Sequence, residues 1–287
     1  MKIKPSIKFL LITLTVLLFL LTCMIAYGTK LFTKYWQNNP PTTTYNTATD
    51  HSKNNGLISH WEFENLNNLA VSDRSGNENP GKIESSITSL YFSKILNKLF
   101  NINYMWESPK IVKGIIGNAI EINGKQWVSG GNVKGYNTNT FTISTWVWIE
   151  NDEGFVPTIM AKSSWPYDGW WLCTKPSTRY IDMGIAWGDS VKHIESGYEL
   201  PLKEWHQIAV TMNNEAHEIQ FFIDGLLFGK PHENIHKWLI NWNHDLFIGD
   251  YDGSGRWPWI GKIDDTYYFD KILSDKEITE VYNFNTH

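Results

Sequence analysis

Side chains two apart on a β-strand share a face, so paired carboxylates at that spacing can do acid–base work on one bound molecule. Glu62-x-Glu64 has the spacing. Asp264 and Asp265 are adjacent, which on a regular strand sends them to opposite faces. Among the nine histidines, His232-Glu233-x-x-His236 is the one pair four apart with an acid between; zinc is not expected. There is no glycine-rich phosphate loop. Only two cysteines occur, Cys23 in an apolar run and Cys173 within a strand pattern, so no disulfide can form inside the folded part. Cys173 reads as a small buried apolar residue. No catalytic set emerges, and the chain reads as a non-enzyme.

Binding chemistry is better represented. Aromatic residues make up 15% of the chain, with 15 Trp. Such rings can fill a core or stack on the apolar faces of sugars. Two short runs combine aromatic rings with proline: Ser164-Trp165-Pro166-Tyr167-Asp168-Gly169-Trp170-Trp171 and Arg256-Trp257-Pro258-Trp259. Trp165, Tyr167, Trp257 and Trp259 are the candidate ligand-binding residues, with Trp165 and Trp257 favoured for exposure. Trp170 and Trp171 fit equally well as packing against their own sheet. A third stretch, Val71 to Gly81, is dense in Asp, Asn and Gly. Asp73, Asn77 and Asn79 there could wrap a hard cation, or could serve local turns.

These residues need elements to hold them. Trp205 to Met212 and Glu218 to Ile223 alternate apolar and polar about the turn Asn213-Asn214-Glu215. That period of two marks half-buried antiparallel strands. Asp224-Gly225 favours a type I′ reversal into a third strand at Leu226 to Phe228. Further strands are expected at 57–63, 118–122, 141–149, 158–162, 170–174, 181–187, 193–195 and 261–269. Turn residues separate many of them at intervals of about 8–12 residues, as in an all-β sandwich. Ser86 to Asn101 breaks the pattern. Ile87, Tyr91, Ile95 and Leu99 recur every four residues and predict an inserted amphipathic helix. Ser274-Asp275-Lys276-Glu277 is a capping box opening a short C-terminal helix.

The N-terminus is of another kind. Phe9 to Tyr27 is almost wholly apolar, and nineteen residues at ~1.5 Å each nearly span a bilayer core. Lys2, Lys4 and Lys8 precede it, so residues 1–36 read as a cytoplasmic tip and transmembrane signal anchor, with the rest exported. The competing reading is a cleaved signal peptide ending near Ala26-Tyr27-Gly28 and a secreted product. A lipoprotein site at Cys23 is disfavoured by the Thr before it. Residues 37–55 are polar and Thr-rich and form a disordered linker. Residues 56–287 form the folded domain. Without the five lysines of residues 1–40, 20 basic residues face 30 acidic ones, which disfavours nucleic acid as a partner. No Asn-x-Ser/Thr site occurs.

The order of these pieces resembles the laminin-G-like jelly roll of the concanavalin A-like lectin/glucanase superfamily. The resemblance rests on Trp61-x-Phe63, Asp73-x-Ser75-Gly76-Asn77, Gly114-x-x-Gly117-x-Ala119 and Asn123-Gly124, then Phe141-Thr142-Ile143-Ser144-x-Trp146-Val147 and Trp205-His206-x-Ile208-Ala209. Ile223-Asp224-Gly225, Gly261-x-Ile263-Asp264-Asp265 and Leu273-Ser274-x-x-Glu277-Ile278 complete it. It implies an all-β, antiparallel β-sandwich, here with an inserted helix, a short C-terminal helix and an N-terminal transmembrane helix. It implies a binding module for carbohydrate or glycoconjugate, with a structural or protein-adhesion domain as the alternative. It also implies a structural Ca2+ shared between the loop after the first strand (Asp73, Asn77, Asn79) and the last strand (Asp264 or Asp265). Hydrolases and lyases of the superfamily are a remoter possibility. Their Glu-x-Asp-x-Glu strand is absent, and Trp205-His206-Gln207-Ile208 reverses the Gln-x-His order of the lyases.

Overall fold

A computed structural model describes residues 56–67, 69–85, 109–138, 140–151, 156–164, 168–187, 190–233 and 243–284. The expected membrane helix, the linker and the inserted helix at 86–101 lie outside these residues. Among the described residues no helix is long and apolar enough to cross a membrane. The chain divides into two units, Met1–Thr47 and Ala48–His287.

The second unit is antiparallel β-structure. Its strands begin with β1 (Leu57–Asn67), β2 (Ala70–Asp73), β3 (Gly81–Ser85), β4 (Lys110–Lys113), β5 (Asn118–Asn123) and β6 (Gln126–Gly131). Next come β7 (Thr140–Ile149), β8 (Thr158–Ser164), β9 (Asp168–Thr174), β10 (Tyr180–Trp187) and β11 (Ser190–Glu199). The series ends with β12 (Trp205–Asn213), β13 (Glu218–Ile223), β14 (Leu226–His232), β15 (Leu246–Ile248) and β16 (Ile260–Phe269), and then helix α1 (Asp275–Phe284). The expected meander is present as β12, β13 and β14. Asp224 and Gly225 both have positive φ, 50° and 76°, as a type I′ turn requires.

Hydrogen bonding runs in the order β11-β10-β9-β8-β15-β6-β3-β2-β1-β16-β7-β12-β13-β14, with β5 on β16 and β4 beyond it. The ends of this path, β11 and β14, come back into contact. The sheet therefore folds over into two layers around one core. Trp61, Phe63, Phe141, Val147, Ile149, Trp170, Met183 and Ile263 all lie in that core. The Phe141 and Trp170 rings, from β7 and β9, stack across it at 5.0 Å. Burying side chains of this size contributes about 2–3 kcal/mol each.

The outer sides carry smaller clusters. Helix α1 lays Ile278 and Val281 over Ala209, Phe222, Tyr267 and Phe269. Its capping box forms as the sequence predicts. The Ser274 amide donates to Glu277 Oε2 at 2.7 Å, and the Glu277 amide to Ser274 Oγ at 3.4 Å. On the opposite layer Trp171, Cys173, Ala161, Ala186 and Tyr251 cluster, with Trp257 and Val156 against them.

Candidate functional site

The two acids of the last strand do not alternate. β16 pairs with β5 through Ile260–Ile263 and with β1 through Thr266–Phe269. At the change of partner its register with β7 slips between Asp264 and Tyr267, and Asp265 takes φ 38°. This bulge inserts one residue, so both carboxylates come out on the outer side. Asp264 lies opposite Trp146, whose ring stacks on Tyr282 of α1. Asp265 Oδ1 meets His60 Nε2 at 2.8 Å, and the His60 ring stacks on Tyr267 at 3.9 Å. The expectation of opposite faces is corrected here.

His60, Glu62 and Glu64 alternate along β1 toward the same side. Arg74 Nε lies 2.8 Å from Glu62 Oε2. Glu64 accepts from the Asn118 amide at 3.0 Å. Asp264 Oδ2 accepts from the amides of Ile115 and Ile116 at 2.9 and 3.4 Å. The Gly114-x-x-Gly117 turn makes this approach possible. A Cβ at Gly114 would sit 2.2 Å from Asp264 Oδ2, and one at Gly117 1.9 Å from Glu64 Oε1. Burial pushes the Asp264 carboxyl up to about 8, and the Asp265 charge adds to it. Burial likewise pushes Asp265 up to about 7, with Glu64 adding and Arg74 opposing. His60, Glu62 and Asp265 place ligand atoms within 4.8 Å of one another. One imidazole with two carboxylates is a donor set for a transition ion more than for calcium.

The expected calcium residues are not gathered round one point. Asp73 lies opposite Trp61 in the β1–β2 register, on the core side, whereas Asp265 faces outward. The Asp73 oxygens accept from the His60 amide (2.9 Å), the Ser75 amide (2.9 Å), Ser75 Oγ (2.7 Å) and the Asn79 amide (2.9 Å). Asn77 and Asn79 both donate through Nδ2 to the Ile58 carbonyl. The Asp73 oxygens are thus taken up by backbone amides and Ser75, which is turn chemistry, and Asp73 and Asp265 do not share an ion.

The expected aromatic residues divide. Trp165 and Tyr167 lie outside the described residues. Trp257 is half-buried, with φ 55° and its ring 4.5 Å from Tyr251. Trp259 is fully buried in the main core, so it packs the sandwich and offers no face to a ligand. Trp171 lies across Gly184, where a Cβ would be 2.0 Å from the indole. Its ring contacts His193 at 5.7 Å and Tyr251 at 5.3 Å, so rings run from His193 to Trp257 across this layer.

A second aromatic pair is not among the residues the sequence singles out. Trp148 on β7 lies directly opposite Trp205 on β12, with centroids 5.9 Å apart and planes at 64°. Both are half-buried on the outer side. Lys262 from β16 places Nζ 4.1 Å over the Trp148 ring. Trp148 Nε1 donates to Glu150 Oε2 at 3.4 Å, and Lys203 pairs with Glu150 at 3.1 Å. The signal is nevertheless present: Val147 and Ile149 turn inward, so Trp148 must turn out.

No curated protein matches the chain. Among solved structures it is similar to domain 4 of AbnA, a GH43 extracellular arabinanase from Geobacillus stearothermophilus solved with arabinotriose. That likeness has TM-score 0.60 and 18% identity, over 79% of this chain and 98% of that one. It is also similar to the binding domain of botulinum neurotoxin DC solved with rat synaptotagmin II (TM-score 0.56, 16% identity, 80% of this chain and 52% of that one). The binding domain of Paraclostridial Mosquitocidal Protein 1 gives TM-score 0.57 and 15% identity, over 80% and 52%. The chain thus spans about half the length of these toxin domains. At such identities the likeness is one of fold. A laminin G family model, described as Concanavalin A-like lectin/glucanases superfamily, matches residues 123–279, and the chain belongs to that family.

Proposed function

We propose that the chain is a membrane-tethered, extracytoplasmic binding module for carbohydrate or glycoconjugate, without catalytic activity. The observation that carries the reading is the Trp148–Trp205 pair, two half-buried rings on one surface with Lys262, Lys203 and Glu150 around them. Ring faces suit the apolar side of a pyranose, and the charged groups suit its hydroxyls. Similar folds were solved with arabinotriose and, in a toxin binding domain, with SialylT. The acids beside β1 have partners within the fold, Glu62 with Arg74 and Asp265 with His60, which supports binding over hydrolysis. A glycan array probed with the full chain tests this. Trp148→Ala and Trp205→Ala are each expected to weaken the recognised glycan about tenfold, the equivalent of ~1.4 kcal/mol. Unchanged binding in both variants defeats the sugar reading.

A protein surface is the second reading. Leu226 and Leu227 are exposed at the β13–β14 turn, and a toxin domain of similar fold was solved with synaptotagmin. The tether rests on the apolar run Phe9 to Tyr27 and the lysines before it. Protease added to intact cells is expected to remove the domain, and full protection would reverse the topology.

A further inference from the structure

The side of the sheet that carries Trp148 and Trp205 continues two residues further along the same strands. On β12 Ile208 and Val210 lie in the core, so Trp205, Gln207 and Ala209 face outward. On β7 Trp146 is the outward neighbour of Trp148, and Gln207 pairs directly with it. This second row lies about 6.7 Å from the first, at ~3.3 Å per residue. It differs in exposure. Trp148 and Trp205 are half-buried, whereas Trp146 and Gln207 are 4% and 1% exposed.

The cover is Tyr282, on the last turn of α1. Its ring stacks on Trp146 at 5.4 Å with planes at 26°. A Cβ at Gly225 would sit 2.7 Å from Tyr282 Cβ, so the glycine lets the tyrosine close in. Gly225 follows Asp224, whose amide and carboxylate hydrogen-bond the Gln207 backbone at 2.9 Å. Tyr282 thus reaches from the end of β13 to β7, and Gln207 on β12 lies beneath it. This closed contact leaves polar groups unmatched. Both amide atoms of Gln207 and Nε1 of Trp146 are buried and have no hydrogen-bond partner among the described residues. Ser144 Oγ, the next outward group on β7, is in the same condition. Buried polar groups normally find partners, because desolvating them without one costs free energy. The capping box and a bond from Thr279 Oγ1 to the Gly225 carbonyl (2.9 Å) fix the first two turns of α1. The last turn has no basic residue to complement its carbonyls.

We propose that Gln207 and Trp146 form a subsite for the acetamido group of an N-acetylated sugar, opened when the last turn of α1 lifts Tyr282. The subsite rests on the reading of Trp148 and Trp205 as a sugar platform, which it adjoins. A side-chain amide is matched by another amide. The acetamido carbonyl accepts from Gln207 Nε2, and the acetamido N–H donates to Gln207 Oε1. Trp146 Nε1 supplies a second donor to the same carbonyl, which has two lone pairs. The acetamido methyl takes the place of the Tyr282 ring against the Trp146 indole. A hydroxyl in that position makes fewer of these bonds and has no methyl to pack, so it does not offset the cost of lifting Tyr282.

Calorimetric titration of the full chain with matched oligosaccharides tests the subsite: N-acetylglucosamine and N-acetylgalactosamine oligomers against their glucose and galactose counterparts. One acetylated series is expected to bind about tenfold tighter than its counterpart. Gln207→Leu is expected to abolish that preference and to raise the melting temperature, because an unpartnered amide leaves the interior. Trp146→Phe, which keeps a ring and removes Nε1, is expected to lower the preference about threefold. Tyr282→Ala is expected to tighten the acetylated sugar about threefold, since the cover no longer has to be lifted. Should Gln207→Leu fail to fold, Trp146→Phe and Tyr282→Ala carry the test. Equal binding of both members of each pair, weakened by Trp148→Ala, leaves the platform standing and overturns the subsite. So does recognition confined to glycans without an acetamido group, or a preference that survives in Gln207→Leu. Weaker acetylated binding in Tyr282→Ala makes the tyrosine a ligand contact and overturns the subsite equally. If no sugar binds in either series or on the array, the sugar reading itself falls and the subsite with it.

Discussion

The melting temperature of the protein is expected to fall as pH rises from 5 to 8.5, and Asp265→Asn is expected to flatten that fall. Asp264 and Asp265 have folded-state pKa values of about 8 and about 7, raised mainly by burial. A carboxyl raised in the folded state holds its proton there after the unfolded chain has released it. Folding then takes up protons, so stability declines from the ordinary carboxylate range near 4 up through the folded values, and levels off above them. The groups facing the pair are His60, Glu62 and Glu64 from β1, Arg74 after β2, and the Ile115 and Ile116 amides. Each pKa unit is worth about 1.36 kcal/mol, and the mutual coupling of the two acids reduces their joint effect to the order of 3 kcal/mol. For a domain of this size that is about 6–12 °C. Asn at 265 keeps an oxygen for His60 Nε2 and removes the charge beside Asp264. A melting temperature that is constant, or rises, between pH 5 and 8.5 contradicts the buried-acid account.

The bulge that creates this pair shows where sequence reading stops. Long strands with a clean period of two, such as β7, β12 and β13, are legible because one face must be buried. Short strands are not. β2, β3 and β15 are three to five residues long, and β6 (Gln-Trp-Val-Ser-Gly-Gly) is covered on both sides and does not alternate. Strict alternation assigns Asp264 and Asp265 to opposite faces. The extra residue arises because β16 exchanges β5 for β1 at that point, a tertiary event that two adjacent letters do not encode. Trp148 and Trp205 are legible in principle, but aromatic loops with proline are the more conspicuous feature and point away from the strands. Trp259 directly precedes β16, and the strand carries it into the core.

His193→Ala is expected to destabilise the protein by about 2–3 kcal/mol, although His193 is itself 42% exposed. The reason lies in the residue it covers. Asp182 on β10 is fully buried, and its Oδ2 lies 2.6 Å from His193 Nδ1 on the neighbouring β11. Cys173 Sγ stands 3.7 Å from the same oxygen, its thiol held protonated because burial, then Asp182, push its pKa well up. Asp182 Oδ1 has no hydrogen-bond partner among the described residues. Removing the imidazole would leave a carboxylate beside a weak thiol donor and the Trp171 wall. Lys175, which feels the Asp182 charge, limits the cost to less than a wholly uncompensated ion would incur. Asp182→Asn should behave differently, because the neutral amide has no charge to compensate. In the His193→Ala background it is expected to recover about 1–2 kcal/mol, so the double-mutant cycle closes with a coupling of that size. Chemical denaturation at neutral pH measures both. A loss below about 0.5 kcal/mol for His193→Ala places it among ordinary surface substitutions, and the histidine then does not hold Asp182 in the fold.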